Sequence, residues 1–466
     1  MTRFALALVV VAGLGASWLG AQSLDDKVRD AVTRLAARPA PAELAAWCDR
    51  LIEPEKRTEA DDTEARMVLH GLSMRSGTTP ALRAALQGAF VQVLASERSA
   101  GVKLFVLEQL QFVADASVLP ALAAALRDAA LCDPACRVAV DVGGTQAADA
   151  VRQALAGSTG AVRLSLIQAL GVLRDAQAVP VLLQEAKAAD RELRLAALRA
   201  LAAIGDPQGG AVLLAATRDT SRYTRSQADA AYLGFLARQV AAGRADEAVT
   251  QATAFAAGRA GDEHLQAAAM DIYAKAGTEA AADAVLTGML SGSERVRQSA
   301  RLALRRLPAE RSAPKLARML ETTPVERRPG LLQALADLGV AGALPAVRTC
   351  MASDDAATRR AAILAFGALA GADSATELVG LLADGREVVP AAAADALTGL
   401  RQAGVGARLA ELAPAATPAA RVAILGLLAR RLDLAQTPVL FASLKDTAPE
   451  VRLAAWRALE ALAGAD

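Results

Sequence analysis

A nine-residue phrase returns along this chain at a fixed step, and that step constrains the fold more than any other feature. It reads VRLSLIQAL at 162–170, LRLAALRAL at 193–201, VRQSARLAL at 296–304 and RRPGLLQAL at 327–335. It continues as TRRAAILAF at 358–366, ARVAILGLL at 420–428 and VRLAAWRAL at 451–459. The second residues are Arg163, Arg194, Arg297, Arg328, Arg359, Arg421 and Arg452, and adjacent copies lie 31 apart. A period of about 20–50 residues marks stacked units rather than a chain wrapped around one centre.

With the Arg set at zero, position +7 is Leu170, Leu201, Leu304, Leu335, Phe366, Leu428 and Leu459. Position +3 is often small (Ala197, Ala300, Ala362, Ala455), and position −1 is often Val or Leu. Offsets of −1, +3, +7 and +10 trace one stripe on a helix, whereas a strand would alternate every second residue. Proline recurs at +17, as Pro120, Pro180, Pro314, Pro345 and Pro438. It fits the first turn of a helix, where its missing N–H has no intrahelical partner. Each unit therefore holds a first helix, a turn bearing Gly or Asp (Gly205-Asp206, Arg174-Asp175), and a second helix opened near the Pro. A pair this short buries little alone and shares a continuous core when stacked. Aromatic residues make up only 3% of the chain, so that core must be built from Ala, Leu and Val.

Weaker copies keep the register at Arg225 and Pro390, and Gln266 stands where an Arg belongs, 31 before Arg297. The step from Arg225 to Gln266 is 41, so one unit within 225–266 carries ten extra residues. Lys103 and Arg137 look like further copies at unequal spacing. These features predict an irregular helical region over 22–99 and an array over 100–466.

The N-terminus places Arg3 before an apolar stretch from Phe4 to Ala21, the layout of a signal peptide over residues 1–21. Cleavage after Ala21 is expected, with an uncleaved anchor as the alternative. No other segment reads as a membrane span, so the mature chain is expected in the periplasm or outside the cell. Export permits disulfides. Cys132 and Cys136 flank Asp-Pro-Ala and are either bonded, with Pro134 breaking a straight helix, or two packed thiols. Cys48 and Cys350 read as packed.

The phrase, with an Asp in the link ahead of Val-Arg and Ala-Leu, resembles HEAT repeats of the short bacterial type also called PBS-lyase HEAT-like. Asp446 before Arg452 and Asp219 before Arg225 keep the six-residue spacing. Asp384 is in place but Pro390 replaces its Arg, Asp190 and Asp354 sit nearer to theirs, and Ser291, Thr322 and Ala415 replace Asp elsewhere. The resemblance implies an all-α fold, a right-handed α-solenoid of stacked two-helix repeats. It also implies an incomplete Arg–Asp ladder between units, with the Arg helices lining the concave side.

Little in the sequence points to catalysis. The two histidines, His70 and His264, stand far apart, and no zinc, haem, phosphate-loop or nucleophile-elbow spacing occurs. No cofactor or metal is expected. A net charge of +1 and the lack of aromatic residues beside the Arg positions argue against nucleic acid. Arg297, Arg301 and Arg305, with Arg306 beside them, form a one-faced stripe. It reads either as an anion site or as one ladder residue with solvated neighbours. The concave face is read at +1 and +5: Leu164, Gln168, Leu195, Arg199, Gln298, Leu302, Arg360, Leu364, Val422, Leu453 and Arg457, with Arg301 and Arg305 beside them. Its mix of apolar and Arg positions suits a protein groove or close packing within the superhelix. The expectation is a monomeric, non-enzymatic scaffold for protein partners. The alternatives are a cofactor- or metal-dependent lyase or hydroxylase, and a binder of cell-wall polysaccharide.

Overall fold

The computed structural model describes residues 23–53 and 61–463, so the expected signal peptide lies outside the described residues. Among those described there are helices and turns and no strand. The chain forms two compact units, one through Arg238 and one from Gln239.

The first unit contains α1 (Leu24–Ala37), α2 (Pro41–Asp49), α3 (Thr63–Arg75), α4 (Pro80–Ala95), α5 (Ala100–Val113), α6 (Cys132–Val142), α7 (Gly144–Leu155), α8 (Gly160–Leu173), α9 (Val179–Glu185), α10 (Arg191–Ile204) and α11 (Gly210–Ala216). It ends within α12 (Arg222–Ala241). First helices stack on first helices, α6 on α8 and α8 on α10, while α7 and α9 pack behind them. The region expected to be irregular stacks in the same way: α1 meets α3, α2 meets α4, and α3 meets α5. Its spacing departs from 31 because helix and link lengths vary, while the hairpin packing is kept.

The second unit contains α13 (Ala245–Ala257), α14 (Glu263–Ala276), α15 (Glu279–Met289), α16 (Glu294–Leu304), α17 (Ala309–Thr322), α18 (Arg328–Leu338), α19 (Leu344–Met351), α20 (Ala356–Ala370), α21 (Ala375–Leu381), α22 (Val389–Gly399), α23 (Val405–Leu412), α24 (Pro418–Arg430), α25 (Thr437–Ser443) and α26 (Pro449–Ala463). Here too α14 packs on α16, α18 on α20, α20 on α22 and α24 on α26. Each unit is an α-solenoid, as the period requires.

The expected stripe is buried: Ala300, Ala362 and Ala455 at +3, and Leu170, Leu304, Leu335, Phe366 and Leu428 at +7. A second buried line, missed in the sequence, runs through +4 as Ile167, Leu198, Leu332, Ile363 and Leu425. A first helix is covered on two sides, by the second helix that precedes it and by the neighbouring first helices. Trp456 occupies +4 of α26 and is 62% exposed, and Leu459 is only half-buried, because no described unit covers that side.

Pro180, Pro345 and Pro438 occupy the first turns of α9, α19 and α25. Pro314 does not: α17 begins earlier, at Ala309 after Pro308, and holds Pro314 in its interior. The stretch Ala356–Leu381 is long and apolar enough to cross a membrane, by length and composition, contrary to the expectation of none. It is two helices, α20 and α21, joined through a 3-10 turn over Gly371–Ser374 where Gly371 has φ +57°, and half of its apolar window is buried.

Candidate functional site

The recurring Arg does a local job first. The last carbonyls of a helix lack intrahelical donors and carry partial negative charge. Arg194 Nη1 donates to the Ala188 and Ala189 carbonyls at 2.7 and 3.3 Å. Arg297 does the same to Ser291 and Gly292, Arg359 to Ser353 and Asp354, and Arg452 to Asp446 and Thr447, at 2.7–3.2 Å. The guanidinium thus staples the link that leads into its own helix. The link acids serve the same turn from the other side. Asp190 accepts from the Glu192 and Leu193 N–H groups, and Asp355, rather than Asp354, accepts from Thr358. These side chains cap the first helices.

The ladder between units is sparse. Arg421 Nη2 donates to Asp446 Oδ1 at 3.1 Å, and its Nε lies 2.9 Å from Oδ2, off line for a hydrogen bond. Hydrogen bonding from the Ala448 N–H, together with the Arg421 charge, holds the Asp446 carboxyl below its ordinary value. Arg163 reaches Glu185 instead at 2.6 Å, and Arg359 Nη2 donates to the Glu387 carbonyl at 3.1 Å. Guanidinium-to-carbonyl stapling recurs down the array, and acid pairing is an addition at a few units.

Each Arg of the stripe that starts on α16 has a carboxylate near it. Arg297 is tied to its link and to Glu294. Arg301 and Arg305 both lie against Asp337, at 3.6 and 3.8 Å, and Arg306 pairs with Asp271 at 2.7 Å. Arg301 and Arg305 are thus not simply solvated, as the second reading had them, but share one carboxylate.

The expected face is largely at the surface. Gln168, Arg199, Gln298, Arg360, Leu453 and Arg457 are exposed, while Leu164, Leu364 and Val422 are half-buried. Leu195 is a correction: it is 1% exposed and belongs to the core, because α10 is covered more completely than its neighbours at that level. Sequence reasoning missed the continuation to +9, where Val172 is 63% exposed, like Leu302 at +5. Arg360 bridges to Asp395 of the next first helix at 2.8 Å, and Arg199 donates to Gln227 at 3.3 Å. The stripe at +1, +5 and +9 therefore alternates bare apolar patches with charges that satisfy one another.

The thiols are free. Cys132 and Cys136 stack one turn apart in α6 with their sulfurs 3.9 Å apart, so of the two readings they are packed thiols and not a disulfide. Pro134 lies in the first turn, where a helix tolerates it, and does not break the helix as expected. The hydrogen bond that the Cys136 thiol shares with Cys132, and burial after it, push the Cys136 thiol up. Cys48 and Cys350 are buried, and burial pushes the Cys48 thiol up to about 12. His70 bonds the Gln109 amide at 3.0 Å and meets the edge of Phe112. Among the described residues no group of three His, Cys, Asp or Glu is placed to hold a metal.

A family model of HEAT repeats matches residues 148–233, which span α8 to α11 and the ends of their neighbours. No curated protein matches the sequence. Several solved structures are similar in fold. Kap121p bound to RanGTP aligns over 90% of this chain and 52% of its own, at 12% identity and TM-score 0.49. Kap95p in complex with RanGDP aligns over 91% and 66%, at 13% identity and TM-score 0.45. Human deoxyhypusine hydroxylase aligns over 55% of this chain and 96% of its own, at 22% identity and TM-score 0.25. This chain thus spans between half and two thirds of the two Kap proteins.

Proposed function

We propose that this HEAT-repeat protein is a non-enzymatic, monomeric scaffold that binds protein partners, exported to the cell envelope or beyond it. The observation that carries the reading is the stripe at +1, +5 and +9. In the first unit Val172 stands in the open one helical turn from Gln168, and in the second Leu302 stands in the open one turn from Gln298. Exposed apolar side chains ringed by polar ones are the composition of a protein-binding surface. Charges already paired on that surface favour a polar rim over capture of a polyanion.

Export rests on residues 1–21 alone, and a mature N-terminus at Gln22 in the native protein is the expected result. The binding reading is tested by affinity capture from the native envelope with wild-type chain and a Val172→Glu/Leu302→Glu variant side by side. A partner retained by wild type and lost by the variant supports it. Identical recovery by both chains, or recovery of no specific protein, overturns it.

A further inference from the structure

Two units lose the ladder pair at both ends: one has Pro390 with Ala415, and the longer unit has Gln266 with Ser291. Asp446 lies 25 residues after Arg421, and at the matching positions of the longer unit stand Gln266 and, 25 residues after it, Ser291. Gln266 keeps the local half of the job, its Nε2 donating to the Ala260 and Arg259 carbonyls at 2.8 and 3.4 Å. The cross-unit half is gone, because a short amide and a hydroxyl replace a guanidinium and a carboxylate.

The space left between them is a cleft of about 320 Å³ between α13, α14, α15 and the start of α16. That lies at the small end of the about 300–1,000 Å³ usual for small-ligand sites. Met270, Tyr273, Gly288 and Val296 are buried in its floor, and Thr253 and Thr287 are exposed at its mouth. No residue lining it carries a formal charge. Gly288 is needed for its shape: a Cβ there would lie 2.7 Å from the Met270 methyl, so only glycine lets that flexible thioether lie across the floor. Of its polar side chains, Gln266, Thr287 and Ser291 bond nearby backbone groups, and the Tyr273 and Thr253 hydroxyls lie 3.3 Å apart. Burial pushes the Tyr273 phenol up, which keeps it a donor at neutral pH.

We infer that this cleft is a binding site for an uncharged, largely apolar small molecule carrying one hydrogen-bonding group, which meets Tyr273 and Thr253. A charged ligand would be desolvated against Met270, Val296 and alanines, and the nearby Arg297 and Arg327 guanidiniums are already engaged by the Ser291 carbonyl. The site is separate from the exposed stripe, so it does not depend on the scaffold reading.

Fluorescence titration of the full chain with N-phenyl-1-naphthylamine, an uncharged two-ring probe, tests it. Its sulfonated analogue, 1-anilinonaphthalene-8-sulfonate, supplies the same rings with a charge. Saturable enhancement at one site is expected with the neutral probe, and much weaker binding with the anion. Thr287→Phe should plug the mouth, and Gln266→Arg/Ser291→Asp should rebuild the charged pair in the cleft. Both should abolish the saturable signal while the helical circular dichroism is unchanged, and Leu302→Gln on the outer stripe should keep it. No saturable binding by wild type, equal binding of the two probes, or binding that survives both cleft variants overturns the assignment.

Discussion

The links before α24 and before α14 meet the same local requirement with different chemistry. At the first, Arg421 staples the Ala416 carbonyl at 2.7 Å and then spends its second edge on Asp446 of the next link. At the second, Gln266 staples two carbonyls and reaches no further. The surroundings differ in step. Second helices in the regular part of this unit are short, with α19, α21, α23 and α25 at seven or eight residues. Those around Gln266 are long, with α13, α15 and α17 at 13, 11 and 14 residues. Closing a link and joining neighbouring units are thus separable tasks. The chain can relinquish the second, and gain a cleft, without losing the first.

The largest effect should come from the core that every unit shares. Leu335 is fully buried at +7 of α18, and Leu335→Ala should cost about 2–5 kcal/mol through lost burial and the cavity left behind. Leu459 holds the same position in α26 but is half-buried, and Leu459→Ala should cost about half as much. Urea unfolding of the two variants measures the difference. Equal costs would show that the covering of a first helix by the next unit contributes nothing, against the nearest-neighbour picture.

The two links should then separate. Arg421→Ala removes a carbonyl staple and the charge pair with Asp446, and should cost the more of the two. Gln266→Ala removes only a neutral staple at a half-exposed site, for about 1 kcal/mol. Their pH dependence should differ in sign-defined fashion. The Asp446 carboxyl titrates below its unfolded value, so its contribution is present above the ordinary carboxylate range and is lost as pH falls through the folded value. The stability gap between wild type and Asp446→Asn should therefore be widest near neutrality and close on acidification, while Ser291→Ala should show no such trend. A gap that holds constant into acid would mean that the Arg421–Asp446 contact carries no net stabilisation.

Much of this architecture was legible because stacking imposes a strict period. The phrase located the first helices, and the +7 residues named the core. What was hidden followed from a second partner that one helix cannot announce. The +4 line of Ile167, Leu198 and Leu425 is buried by the neighbouring unit. On a single helix it reads only as a wider apolar stripe. Leu195 fell out of the surface for the same reason. The resemblance implied an incomplete Arg–Asp ladder, but the sequence does not tell that most of the link acids cap N–H groups while the Arg residues bond link carbonyls. The choice between bonded and packed Cys132 and Cys136 turned on Pro134, which the first turn of α6 accommodates. The cleft did leave a signal, in the joint loss of Arg at 266 and Asp at 291 beside a ten-residue insertion. Each was noted, but their meeting in space needed the fold.

The smallest expected effect on stability is at the exposed stripe, and there the contrast with the links is sharpest. The Arg360–Asp395 pair leaves both side chains at least half exposed. Such pairs contribute about 0–1 kcal/mol because water and salt screen them and two long side chains must be ordered. Arg360→Ala should thus leave the urea midpoint almost where it was, whereas Arg421→Ala, with a similar contact in a more buried setting, should move it clearly. If the stripe is a docking surface, the same Arg360→Ala change should alter capture of the partner and its salt dependence, since a rim charge acts chiefly on association. A variant that lowers stability as much as Arg421→Ala would place Arg360 among the structural staples. One that moves neither stability nor capture would take the α20 face out of the binding surface and leave it to Leu302 and Val172.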